Sequence, residues 1–139
     1  MTNDMVKTMI EDMHALAKLY RSRAYAPYSK FLVGAVVKGA NGKLYGGCNV
    51  ENAAYPVGNC AEASAIAAMV GDGETHIVEA LVMGPEGQIC TPCGACRQRL
   101  REFASADLKI HLADPTAVLQ TITLGELLPM SFGPENLNR

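Results

Sequence analysis

Three cysteines constrain this chain more than any other feature. Cys60 opens the triplet Cys60-Ala61-Glu62, and two more lie in the later run Pro92-Cys93-Gly94-Ala95-Cys96. If the three act together, the fold must bring two distant segments to one point. Each segment reads as the start of a helix. Ala61, Ala65, Ala67 and Ala68 follow Cys60, and Thr91-Pro92 leads into the segment beginning at Cys93. Helix N-termini carry partial positive charge and lower a thiol pKa, so all three cysteines are expected as thiolates. Three protein ligands can hold zinc and leave its fourth position open. Glu62, two residues beyond the first thiolate, is placed to work on whatever fills that position.

Other uses of these cysteines have to be weighed. A lone C-x-x-C is shared by redox pairs and structural zinc knuckles. Cys90, Cys93 and Cys96 form a C-x-x-C-x-x-C run like part of an iron–sulfur pattern. Cys90, however, falls at a strand end before Pro92, and no fourth cysteine follows. A structural zinc site would need four ligands, with Cys48 and Cys90 as the spare candidates. Both read better as buried, inert small hydrophobes. His14, His76 and His111 are dispersed and read as structural or surface residues. The cysteine count is odd and no signal segment is visible at Met1-Thr2-Asn3-Asp4. A reduced, cytoplasmic setting is therefore expected, where cysteines are more often metal-binding or catalytic than bridged. No apolar run approaches the length of a membrane span. The net charge of −2 argues against a nucleic-acid surface, and Arg21 with Arg23 reads as a solvated helix face.

The rest of the chain reads as one domain, residues 1–139, with no linker or internal repeat. Met5 to about Arg23 is predicted as an amphipathic helix, with Asn3 or Asp4 as its N-cap. Phe31 to Lys38 and Leu44 to Val50 form a hairpin around Asn41-Gly42. The glycine pairs Gly39/Gly42 and Gly46/Gly47 point to bulging or close backbone approach. A helix from Asn59 or Cys60 to about Val70 follows, then strand Ile77–Met83. Next come a helix from Cys93 to Phe103 and strands Leu108–Ala113 and Val118–Thr123. A short helical turn begins at Leu124. The linker between the last two strands is too short for a parallel crossover, so those strands must be antiparallel. The fold class is α/β: a three-layer α/β/α arrangement around a mixed five-stranded sheet.

Several motifs together resemble the short, homotetrameric type of cytidine deaminase. They are Phe31-Leu32-Val33-Gly34-Ala35, Asn49-Val50-Glu51-Asn52-Ala53-Ala54-Tyr55, Cys60-Ala61-Glu62, Pro92-Cys93-Gly94-Ala95-Cys96-Arg97-Gln98 and the tail Leu127 to Pro134. The resemblance spans nearly the whole chain in order. It implies one zinc ion per subunit on Cys60, Cys93 and Cys96, and Glu62 as the proton carrier. It implies hydrolytic deamination of cytidine and deoxycytidine in pyrimidine salvage. Phe31 resembles the residue that stacks on the base, and Asn49 and Glu51 the pair that binds the ribose hydroxyls. The backbone N–H of Ala61 suits a base carbonyl. Tyr55 and Phe132 resemble residues lent to a neighbouring subunit's site. A core role for Phe31, turn chemistry for Asn49 and Glu51, and self-packing of the tail stand beside these readings. So do a relative acting on another amino-heterocycle such as blasticidin S, a nucleic-acid deaminase and a non-enzymatic zinc module.

One position departs from the pattern. Several family members follow the C-A-E triplet with arginine, and here it is Ala63. Three thiolates and Zn²⁺ sum to a negative charge, which weakens the metal as a Lewis acid unless hydrogen bonds or cations offset it. With Ala63 in place, the two helix N-termini, backbone N–H groups and Arg97 are the expected sources of that offset.

Overall fold

The computed structural model describes residues 2–139. Its first helix, α1 (Asn3–Ser22), begins two residues before the expected Met5. Thr2 is the N-cap, and its hydroxyl accepts the Met5 N–H at 3.1 Å. The hairpin is β1 (Gly34–Gly39) and β2 (Leu44–Cys48). Gly42 turns it with φ +85°, a conformation that favours glycine. Helix α2 (Ala61–Gly71) leads to β3 (Ile77–Met83), and α3 (Gly94–Phe103) leads to β4 (Lys109–Ala113). Strand β5 (Val118–Thr123) passes directly into the one-turn helix α4 (Leu124–Leu127). Thr123 and Glu126 cap that turn reciprocally.

The sheet order is β2-β1-β3-β4-β5. Strand β1 is antiparallel to both β2 and β3, β3 and β4 are parallel, and β4 and β5 are antiparallel. Asp114 closes the last linker. Its Oδ1 accepts N–H groups of Thr116 (2.8 Å) and Ala117 (2.9 Å).

Alternation along the strands separates two apolar layers. Val36, Leu81 and Met83 pack with Met13 and Ala17 of α1 on one face. Val37, Val82, Ile110 and Leu112 pack with Ala65, Ile66 and Met69 of α2 and Leu100 of α3 on the other. Helices on both faces of the sheet make the three layers expected.

Two glycines set how closely those layers approach. A Cβ on Gly34 would lie 2.2 Å from the Ala17 carbonyl oxygen of α1. One on Gly47 would lie 2.4 Å from the Ala65 nitrogen and 2.7 Å from the Ala61 oxygen of α2. The first turns of α2 therefore rest directly on the β2 backbone.

The topology also decides where the helices begin. β2 and β3 flank β1 and run in the same direction, so their C-terminal ends lie at one edge, opposite the start of β1 at Gly34. α2 follows β2 and α3 follows β3, so both helix N-termini return to that edge on the same face. Open α/β sheets place their ligand crevices at such strand ends.

Candidate metal centre and active-site cleft

Cys60 and Cys93 are the N-caps of α2 and α3, and neither thiol is used as a capping acceptor. Cys96 lies in the first turn of α3, where N-cap and third-position side chains are neighbours. The three sulfurs lie within 4.8 Å of one another, with Cys60 Sγ and Cys93 Sγ 3.9 Å apart. Tetrahedral zinc with bonds of about 2.3 Å requires sulfur separations of about 3.8 Å, so the cluster fits one zinc ion. Among the described residues no fourth histidine, cysteine or carboxylate joins it. Cys48 and Cys90 stand apart and are half-buried rather than fully buried. Three protein ligands and a fourth position left open is the arrangement of a catalytic zinc site, not a structural one.

The helix ends do not by themselves produce three thiolates. Burial, followed by the charges of Glu62 and the other two cysteines, pushes the Cys96 thiol well up. Burial also raises Cys60. Three sulfurs this close need a cation to become thiolates together, and a bound dication supplies it.

Glu62 sits in the first turn of α2 and is only 5% exposed. Burial pushes its carboxyl above the ordinary value, against hydrogen bonding from its own N–H and Cys96 and the charge of Arg99. A cleft of about 360 Å³ opens beside the cluster. Cys60, Ala61, Glu62 and Cys93 line it together with Phe31, Val33, Asn49 and Glu51, and with Ser29, Cys90 and Thr91. The volume lies in the range of small-molecule sites.

Phe31, Leu32 and Val33 do not extend β1 as their apolar run predicted. The Asn49 side chain replaces a strand partner for this segment. Its Oδ1 accepts the Val33 N–H at 2.9 Å, and its Nδ2 donates to the Phe31 carbonyl at 2.8 Å. Glu51 clamps the preceding turn by accepting the N–H groups of Tyr28 (3.0 Å) and Ser29 (3.1 Å) and the Ser29 hydroxyl. That hydroxyl foremost, with the two N–H groups, holds the Glu51 carboxyl below its ordinary value. Both residues thus shape the cleft wall while lining it.

Two expected site residues lie outside the cleft. Tyr55 is 75% exposed and rests edge-on to Tyr28, ring centroids 6.0 Å apart, at an adjoining recess that shares Ser29 and Glu51. Phe132 is 59% exposed on a tail held against α3. Gln98 donates to its carbonyl at 2.8 Å, and Arg101 bonds Ser131 Oγ and pairs with Glu135.

The arginine beside the cluster is not the one expected. Arg97 donates to the carbonyls of Pro92 (2.8 Å) and Leu127 (2.8 Å) and so fastens α3 to its surroundings. Arg99 instead places Nη1 3.4 Å from Cys96 Sγ. The reason is helical spacing: residue 99 is three positions beyond Cys96 and shares its face, whereas residue 97 does not. That spacing is the signal in the sequence that points to Arg99. Ser29 and Thr91 carry none, since both read as connector residues.

An open three-cysteine centre with a buried carboxyl beside it, on helix N-termini of an α/β/α sandwich, defines a zinc hydrolase. Residues 7–112 match the family described as the cytidine and deoxycytidylate deaminase zinc-binding region. The chain is 40% identical over 130 residues to a cytidine deaminase of Sporosarcina psychrophila, covering 93% of this chain and 95% of the relative. It is 40% identical over 118 residues to one of Halalkalibacterium halodurans, covering 85% and 89%. The crystal structure of cytidine deaminase from Burkholderia pseudomallei superposes with a TM-score of 0.82 at 36% identity, covering 95% of this chain and all of that one. The chain belongs to the cytidine and deoxycytidylate deaminase family.

Proposed function

We propose that the chain hydrolytically deaminates cytidine and deoxycytidine to uridine and deoxyuridine with release of ammonia. The observation that carries this reading is the buried Glu62 carboxyl beside an open three-sulfur centre, both on one nucleoside-sized cleft. Cys60, Cys93 and Cys96 hold the zinc. Bound zinc supplies Lewis acidity at its open position and makes water nucleophilic at neutral pH.

The chain's own residues do the rest. Glu62 takes a proton from the attacking water, delivers it to ring N3, and then assists departure of ammonia. Its burial favours carrying that proton. Phe31 stacks on the base. Ala61, first residue of α2, has an N–H with no intrahelical acceptor and donates it to the base carbonyl. Asn49 and Glu51 bind the ribose hydroxyls through acceptor capacity beyond what the 28–33 turn uses.

The exposed Tyr55 and Phe132 act in a neighbouring copy's cleft, so the functional unit is a homotetramer of single-domain subunits. The exposure of Val57 (65%), Met130 (104%) and Leu137 (72%) near them supports burial by a partner. Among the described residues no helix is long and apolar enough to cross a membrane. We place the enzyme in the cytoplasm.

The test is ultraviolet monitoring of cytidine, deoxycytidine and blasticidin S on a sample of measured zinc content. Glu62→Gln should retain zinc and lose roughly 10²–10⁴-fold in turnover. Full activity in that variant would end the reading. Light scattering of the native chain and of Phe132→Ala tests the shared site, since a monomer with full activity contradicts it.

A further inference from the structure

We propose that Arg99 is the counter-cation of the cysteine cluster, a positioning residue that acts through Cys96 to keep zinc electron-poor. The inference rests on the zinc reading above and deepens it.

Cys96 is fully buried, so its sulfur has no water to share its charge with. Arg99 Nη1, at 3.4 Å, is the one charged donor to any of the three sulfurs among the described residues. The Arg99 charge is not divided, because no carboxylate lies within ion-pair distance of it among the described residues. Its surroundings explain why it can reach the sulfur. Arg99 and Ala63 line one groove between α2 and α3, together with Ile66, Ala67 and Val70. The methyl of Ala63 leaves that groove open to the guanidinium.

The charge balance gives the consequence. Three thiolates and Zn²⁺ carry one net negative charge, and Arg99 brings the sum to zero. A hydrogen bond from a cation lowers the donor strength of the thiolate it touches, so the metal keeps more of its acidity. Arginine is suited to the task because it stays charged whatever surrounds it. The cation that several family members carry on α2 at position 63 is here supplied from α3, at Cys96.

The test uses the full-length protein with cobalt(II) in place of zinc, and reads the thiolate-to-cobalt charge-transfer band. Arg99→Met keeps length and removes charge, and Arg99→Lys keeps charge. Arg99→Met should move the band to longer wavelength. In the zinc form it should lower kcat by roughly 10- to 100-fold with KM for cytidine little changed. Arg99→Lys should stay near wild type in both. The inference is overturned if the band of Arg99→Met does not move, or if both variants move it equally. A wild-type chain that takes up no cobalt overturns the metal reading itself and the inference with it. Cobalt uptake with an unmoved band overturns the inference alone.

Discussion

Gly47→Ala should damage the metal centre without touching it. The new Cβ would lie 2.4 Å from the Ala65 nitrogen and 2.7 Å from the Ala61 oxygen, where ordinary contact begins at 3.4 Å. Both obstacles are backbone atoms and cannot rotate away. The start of α2 must therefore withdraw from β2 by about 1 Å, the shortfall against ordinary carbon contact. Overpacking of this kind costs about 1–3 kcal/mol. Cys60 travels with α2 while Cys93 stays with α3. Their sulfurs, 3.9 Å apart, separate toward about 5 Å, whereas two zinc–sulfur bonds span at most about 4.6 Å. A misplacement of about 1 Å can remove roughly 10²-fold in rate. Urea melts should show a midpoint about 1 M lower, and the zinc content and kcat/KM of the folded fraction should both fall. Gly71→Ala, at the far end of the same helix with nothing within 4 Å, is the control and should stabilise by about 0.4–1 kcal/mol. A Gly47→Ala protein with wild-type midpoint, full zinc and full turnover would refute the claim that this contact places Cys60.

Three further outcomes are expected. Asn49→Ala removes the bonds to Val33 and Phe31, so it should cost about 1–3 kcal/mol in a denaturant melt and raise KM more than it lowers kcat. The Asp114 carboxyl is held well below its ordinary value by the Thr116 hydroxyl first and then the Gly87 N–H, with the Thr116 and Ala117 N–H groups adding to them. A depressed folded pKa stabilises above the unfolded value of about 3.9 and loses that contribution as pH falls through the folded pKa. Asp114→Asn should therefore melt below wild type at pH 7, with the gap closing below about pH 3.9; a gap constant down to pH 2 would contradict this. Finally, a chelator should lower the thermal midpoint by roughly 10–15 °C, since a ligand at about 1,000 times its Kd contributes about 4 kcal/mol. Calorimetry of the stripped and zinc-restored protein measures it.

The long periodic elements are legible in the residue pattern alone. Ile77–Met83 and Val118–Thr123 begin and end where their β-branched runs do. The antiparallel return of β5 follows from linker length. The stretches that depart from their local pattern share a cause, since in each a side chain takes over a backbone role. Thr2 caps α1 in place of Asn3 or Asp4, and Asn49 pairs with Phe31 and Val33 where a strand ladder was expected. Propensity describes the backbone of a segment and cannot tell which distant amide will satisfy it. The expectation that Arg97 offsets the thiolate charge fails differently. Arg97 is spent on backbone carbonyls, and helical spacing from Cys96 brings Arg99 to the sulfur instead.

The residue order alone carries the chemistry at hand: three sulfurs of the right count for an open zinc site, and a carboxyl two residues beyond the first. It also determined that both sulfur-bearing segments start helices, because alanines, a proline and glycines are local signals. That these starts meet is a property of the folded sheet. They meet because β2 and β3 flank β1 in the same direction and deliver both helices to one edge of the sheet. A bare Gly47 lets α2 close the remaining distance. Folding likewise buries Glu62, lets Asn49 and Glu51 hold the segment they line, and turns Arg99 to the cluster. Each of these depends on contacts between residues far apart in the chain, which no local pattern encodes.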